Sequence, residues 1–94
     1  MDKPMIREVL LSHAPGLHAR PCLAIVKLAG QFQSRLQIHH GRKIADARNM
    51  MDLLSLGAPS GTRLQLSAEG PDADKALNAL ADLFANNFGL DGDL

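Results

Sequence analysis

Thr62-Arg63-Leu64-Gln65-Leu66-Ser67-Ala68-Glu69 alternates without a break. Leu64, Leu66 and Ala68 fall on one side, and Arg63, Gln65, Ser67 and Glu69 on the other. That is the period of two expected of a strand with one wet face. Gly70-Pro71-Asp72 follows and opens a helix, with Asp72 and Asp74 at its positive end. Ala73, Leu77, Leu80, Phe84 and Phe88 recur as the buried stripe of that helix, and Gly89 closes it. Upstream, residues 35–40 (RLQIHH) alternate around Leu36 and Ile38, Gly41 turns the chain, and residues 43–46 (KIAD) return as the second arm of a hairpin. Residues 7–12 (REVLLS) read as the first strand.

Two further stretches change to a helical period. In residues 19–29, Cys22, Ile25, Val26 and Ala29 recur at i, i+3, i+4 and i+7. Pro21 lies in the first turn, where its missing N–H costs nothing, and Gly30 ends the run. Residues 48–56 read as a short helix with Asn49 as N-cap and Gly57 as the stop. The order is β-α-β-β-α-β-α. Four short strands in 94 residues leave too little chain to cover both faces of a sheet. The expectation is an α+β fold, an open-faced two-layer sandwich of a four-stranded antiparallel sheet with three helices on one face.

Residues 1–94 have room for one domain. The ends, MDKP and GLDGDL, read as frayed. Aromatic residues make up 3% of the chain and are all Phe, which excludes a stacking platform for single-stranded nucleic acid. One cysteine cannot form an internal disulfide or a multi-cysteine zinc site. The longest apolar run, residues 22–26, is far too short for membrane insertion, and the start lacks a signal-peptide layout. A cytoplasmic protein is expected. Formal net charge is zero, which argues against general nucleic-acid binding. Residues 1–48 nevertheless carry eight basic groups against three acidic ones. A basic surface of that kind steers acidic or phosphorylated partners.

Gly16-Leu17-His18-Ala19-Arg20-Pro21 is where chemistry concentrates. A glycine turn delivers His18 to the start of a helix, whose first N–H groups, Ala19 and Arg20 among them, point outward toward any anion. Arg20 adds a permanent charge and a forked donor set, and Pro21 stiffens the turn. The result is an imidazole beside a phosphate cradle. Imidazole is a good nucleophile when neutral, so His18 is a candidate for transient phosphorylation. The bland alternative is a histidine that merely caps its helix.

This hexapeptide resembles the active-site signature of HPr, the phosphocarrier family of the bacterial phosphoenolpyruvate-dependent sugar phosphotransferase system. Asn49-Met50-Met51-Asp52-Leu53-Leu54-Ser55-Leu56-Gly57 resembles that family's short second helix. Ser67-Ala68-Glu69-Gly70, running into Ala76-Leu77, resembles its last strand and last helix. The likeness spans about residues 6–88 and implies an HPr-like fold. It also implies that His18 is phosphorylated on Nδ1 by phosphorylated enzyme I, that Arg20 accompanies it, and that the group passes on to an enzyme IIA protein or domain. By the same likeness the second helix docks on both partners, through Met50, Met51, Leu54 and the adjacent Arg48. No cofactor and no metal are implied, and a monomer is the simplest state for such a relay.

Two positions depart from the family pattern. Asn49 stands where many HPr proteins carry a serine phosphorylated by a dedicated kinase, so that regulation is excluded here. Asp52 stands where many sugar-system members carry a basic or small residue. The nitrogen-branch paralogue NPr shares the histidine motif and varies in this helix, and the tail at residues 83–89 has some of its character. A regulatory rather than sugar-transport output is therefore the alternative. Two other classes are a regulatory module that no longer relays phosphate, opposed by the presence of both His18 and Arg20, and an acylphosphatase-like hydrolase, whose remaining pattern is missing. Elsewhere, His39 and His40 lie adjacent on a strand, point to opposite faces and read as a solvated edge pair. His13 reads as a turn residue and Cys22 as core.

Overall fold

The alternation at residues 62–69 becomes a central strand. The computed structural model describes residues 4–90, so most of the two terminal segments read as frayed lies outside the described residues. Within this span are β1 (Met5–Leu10), α1 (Ala19–Ala29), β2 (Arg35–His40), β3 (Lys43–Asp46), α2 (Met50–Ser55), β4 (Arg63–Glu69) and α3 (Ala73–Ala85), followed by a 3-10 turn at Asn87–Gly89. The strands form one antiparallel sheet in the order β1-β4-β2-β3. α3 lies over β1 and β4, α2 against β3, and α1 touches both of the other helices. This is the open-faced α+β sandwich expected from the alternation.

The pleat explains the division of faces. Leu64, Leu66 and Ala68 of β4 and Leu36 and Ile38 of β2 are buried under the helices with Cys22, Ile25, Ala29, Leu53, Leu77, Leu80 and Phe84. Each large aliphatic side chain so removed from water stabilises the fold by roughly 1.5–3 kcal/mol. Arg63, Gln65 and Glu69 are exposed on the open face. Ser67 shares that face but is buried, because Ile6 and Gln37 flank it across the ladders and the His39 ring meets its hydroxyl at 3.1 Å.

Several boundaries move for identifiable reasons. β1 covers Met5–Leu10 rather than residues 7–12, because its partner β4 starts at Arg63, which pairs with Leu10. α2 starts at Met50 rather than residue 48, since Asn49 is the cap and its side chain accepts a hydrogen bond from the Asp52 amide at 3.1 Å. α3 ends at Ala85. Phe88 still reaches the core, but through the 3-10 turn, with left-handed backbone at Asn87 and Phe88. Its ring meets Phe84 edge-on at 4.8 Å.

The Asp72 carboxylate makes no cap bond to α3. It accepts instead from the amides of Gln33 and Ser34 and from the Ser34 hydroxyl, at 3.0, 2.8 and 2.5 Å. The Ser34 hydroxyl oxygen in turn accepts from the Asp72 amide at 3.0 Å. The Ser34 hydroxyl first, and then the Gln33 amide, hold the Asp72 carboxyl below the usual carboxylate range. This clasp joins the loop before β2 to the turn before α3.

Candidate functional site

The chain leaving β1 turns through residues 13–16 and enters α1 at His18. Gly16 holds a φ of +138° and is bridged to Pro59. The Leu17 amide donates to the Ala58 carbonyl at 3.0 Å, and the His18 amide to the Gly16 carbonyl at 2.9 Å. Leu17 is buried and anchors the turn, leaving His18, Ala19 and Arg20 exposed. His18 is the N-cap residue of α1 by backbone, with its carbonyl accepting from the Cys22 amide at 3.0 Å. Its ring makes no cap bond to the helix. The cap is thus made by backbone alone, and the imidazole takes no part in it.

His18 lines a depression of about 410 Å³ together with Pro15, Leu17, Leu54, Gly57, Ala58 and Pro59. The first-turn amides of a helix point out from its start, and the positive end of the α1 dipole adds to them. An exposed imidazole at such a place can carry a transferable anionic group.

The four expected docking residues are arranged differently from one another. Leu54 is 40% exposed and lines the depression with His18. Met51 is 75% exposed on the same short helix, whereas Met50 is half-buried against the core. The Arg48 guanidinium bonds the carbonyls of Ser34, at 3.2 Å, and Phe32. It lines a separate hollow with Gln33, Arg35 and Glu69. Residues 57–59 and Pro15 contribute walls that sequence reasoning missed. Only the glycine stop at residue 57 marked the place, because the pairing of residues 16–17 with 58–59 spans some forty residues of chain.

The remaining candidates take structural places. The His13 ring meets Phe88 edge-on at 6.0 Å. β2 is an inner strand, so His39 and His40 are not an edge pair. The His39 ring reaches Ser67 on the open face and the His40 ring reaches the Leu56 carbonyl under the helices. Cys22 is buried, and burial pushes its thiol up to about 11. Among the described residues no group of His, Cys, Asp or Glu could hold a metal ion, and no helix is long and apolar enough to cross a membrane.

With this geometry in hand, comparison with known proteins is specific. Residues 6–86 match the family model described as the PTS HPr component phosphorylation site. The chain is 35% identical over 83 residues to the phosphocarrier protein HPr of Cupriavidus necator, a match covering 88% of this chain and 93% of that protein. It is 34% identical over 91 residues to the multiphosphoryl transfer protein of Salmonella typhimurium, covering 94% of this chain and 24% of that longer protein. Among solved structures, HPr-C-His from Thermoanaerobacter tengcongensis superposes with a TM-score of 0.86 at 35% identity, covering 90% of this chain and 96% of that one.

Proposed function

The chain belongs to the HPr family of the phosphotransferase system, and we propose from that premise that His18 is the residue on which it carries its phosphoryl group. The protein is a phosphocarrier. The observation that supports His18 in this role is its exposed ring, free of any cap bond, at the mouth of α1 in a depression walled by Leu54 and Gly57.

Phosphorylated enzyme I, charged from phosphoenolpyruvate, is the donor in this reading. The Nδ1 lone pair of His18 forms a P–N bond as the donor's bond to phosphorus breaks. The amides of Ala19 and Arg20 and the Arg20 guanidinium stabilise the negative oxygens of the transferred group. The P–N bond then breaks as an acceptor on an enzyme IIA protein or domain attacks the same phosphorus. Met51 and Leu54 supply apolar contact to both partners, and Met50 adjusts beneath them. The relay needs neither metal nor cofactor. It operates in the cytoplasm, from a monomer whose single domain spans residues 1–94. The comparisons lend the nitrogen-branch alternative no greater support.

The test is incubation with enzyme I and phosphoenolpyruvate, followed by intact mass measurement before and after acid. One acid-labile phosphoryl adduct is expected on the parent, none on His18→Ala, and slower formation on Arg20→Ala at an unchanged melting temperature. An adduct that persists in His18→Ala removes His18 from the role.

A further inference from the structure

α2 has only six residues. A helix this short is marginal by itself; the Leu56 and Gly57 amides close on the carbonyls of Leu53 and Leu54, and the carbonyls of Ser55 and Leu56 find their partners outside the helix. Its start is held by Asn49. Its end is held from across the fold by the mouth of the β2–β3 hairpin. His40 and Lys43 are directly opposed across that hairpin, so their side chains share one face of the sheet. The Lys43 ammonium donates to the Ser55 carbonyl at 3.2 Å, and Nδ1 of His40 lies 3.0 Å from the Leu56 carbonyl. A carbonyl can only accept, so Nδ1 carries the proton in this contact.

These two anchors sit beside the His18 depression. The peptide joining Leu56 to Gly57 is held at both ends, its carbonyl by His40 and its N–H by the Leu54 carbonyl at 3.3 Å. Leu54 and Gly57 are walls of the depression. One residue further on, the Ala58 carbonyl accepts from the amide of Leu17, whose neighbour is His18. A continuous path of polar contacts and three successive peptide units thus joins the His40 ring to the backbone that presents the reacting histidine.

We propose that His40 is a positioning residue for phosphoryl transfer: by holding the Leu56 carbonyl it fixes the Leu54–Gly57 wall against which partners dock beside His18. The inference rests on the reading of His18 as phosphoryl acceptor. Without the Nδ1 donor the end of α2 loses one of its two anchors to the hairpin, and Leu54 and Gly57 no longer hold one arrangement. A docking wall is used equally before and during transfer, so its loss raises KM and leaves kcat nearly untouched. Losing one hydrogen bond of this kind corresponds to roughly a three- to tenfold rise.

The experiment measures KM and kcat for the full chain as substrate of phosphorylated enzyme I, well below the melting temperature of every variant. His40→Leu is expected to raise KM with kcat unchanged. His40→Asn, whose side-chain amide donates from near the Nδ1 position, is expected to restore KM. His39→Leu, on the opposite face, is expected to match the parent. A folded His40→Leu with the parent's KM overturns the proposal, as does a His40→Asn no better than His40→Leu, or an equal rise in His39→Leu. If His40→Leu does not fold, Lys43→Met decides: a raised KM at constant kcat supports the anchor, and an unchanged KM overturns it. A parent chain that takes no phosphoryl group overturns the acceptor reading and this inference with it, whereas a working parent with indifferent variants overturns this inference alone.

Discussion

Gly16 lies so close to Ala58 that a Cβ built on it would stand 2.4 Å from the Ala58 carbonyl oxygen. Backbone at residue 58 cannot retreat, since the same carbonyl accepts from the Leu17 amide. The φ of +138° at Gly16 is one that L side chains rarely adopt. The glycine two residues before His18 is therefore required both for its conformation and for its lack of volume.

Gly16→Ala is accordingly expected to destabilise the fold by roughly 2–4 kcal/mol, combining backbone strain with overpacking. It should also slow phosphoryl acceptance at temperatures where the variant is still folded, because separating residue 16 from Ala58 shifts His18. Urea unfolding and the enzyme I assay read the two effects. A variant with the parent's midpoint would show that the contact relaxes without cost.

Asn49 offers a test at the start of α2. Its side chain accepts from the Asp52 amide and starts the helix that presents Met51 and Leu54. Asn49→Ala is expected to lose about 1 kcal/mol, whereas Asn49→Ser, an equally good cap, should stay close to the parent. The comparison separates capping from side-chain size. Equal losses in the two variants would mean that Asn49 acts through some contact other than its cap.

The contrast between these two sites explains what was legible in the sequence. Asn49 was readable because capping is local: a short polar acceptor precedes a run of helix formers by one residue. β4 and the stripe of α1 were readable because burial imposes a period on neighbouring residues, and the helix start at His18 because the glycine and proline that frame it are contiguous with it. The meeting of Gly16 with Ala58 leaves no such trace, since it depends on how two loops pack after the sheet has formed. His40 reads as one of a solvated pair until β3 is seen to make β2 an inner strand. Asp72 reads as a helix-start acid, and only the fold brings Gln33 and Ser34 within its reach. Periodicity reports which face is apolar. It does not report which distant polar group a loop carboxylate will find.

Asp72 carries the last prediction. Its carboxylate gathers the Gln33 and Ser34 amides and the Ser34 hydroxyl, and Gly70 packs directly on Ser34, a Cβ there standing 2.6 Å from the Ser34 hydroxyl oxygen. Asp72→Asn places an amide donor against these donors and is expected to melt below the parent at neutral pH. The folded carboxyl ionises at lower pH than the ordinary value of 3.8. Its stabilisation is therefore complete above that value and is lost as pH falls through the depressed folded one. The gap between parent and Asp72→Asn should hold from neutral pH down to about pH 5 and narrow progressively below about pH 4. Unfolding curves for both chains across that range check it. A gap that stays constant down to the lowest pH at which the parent remains folded would show that the charge of the carboxylate plays no part in joining the two loops.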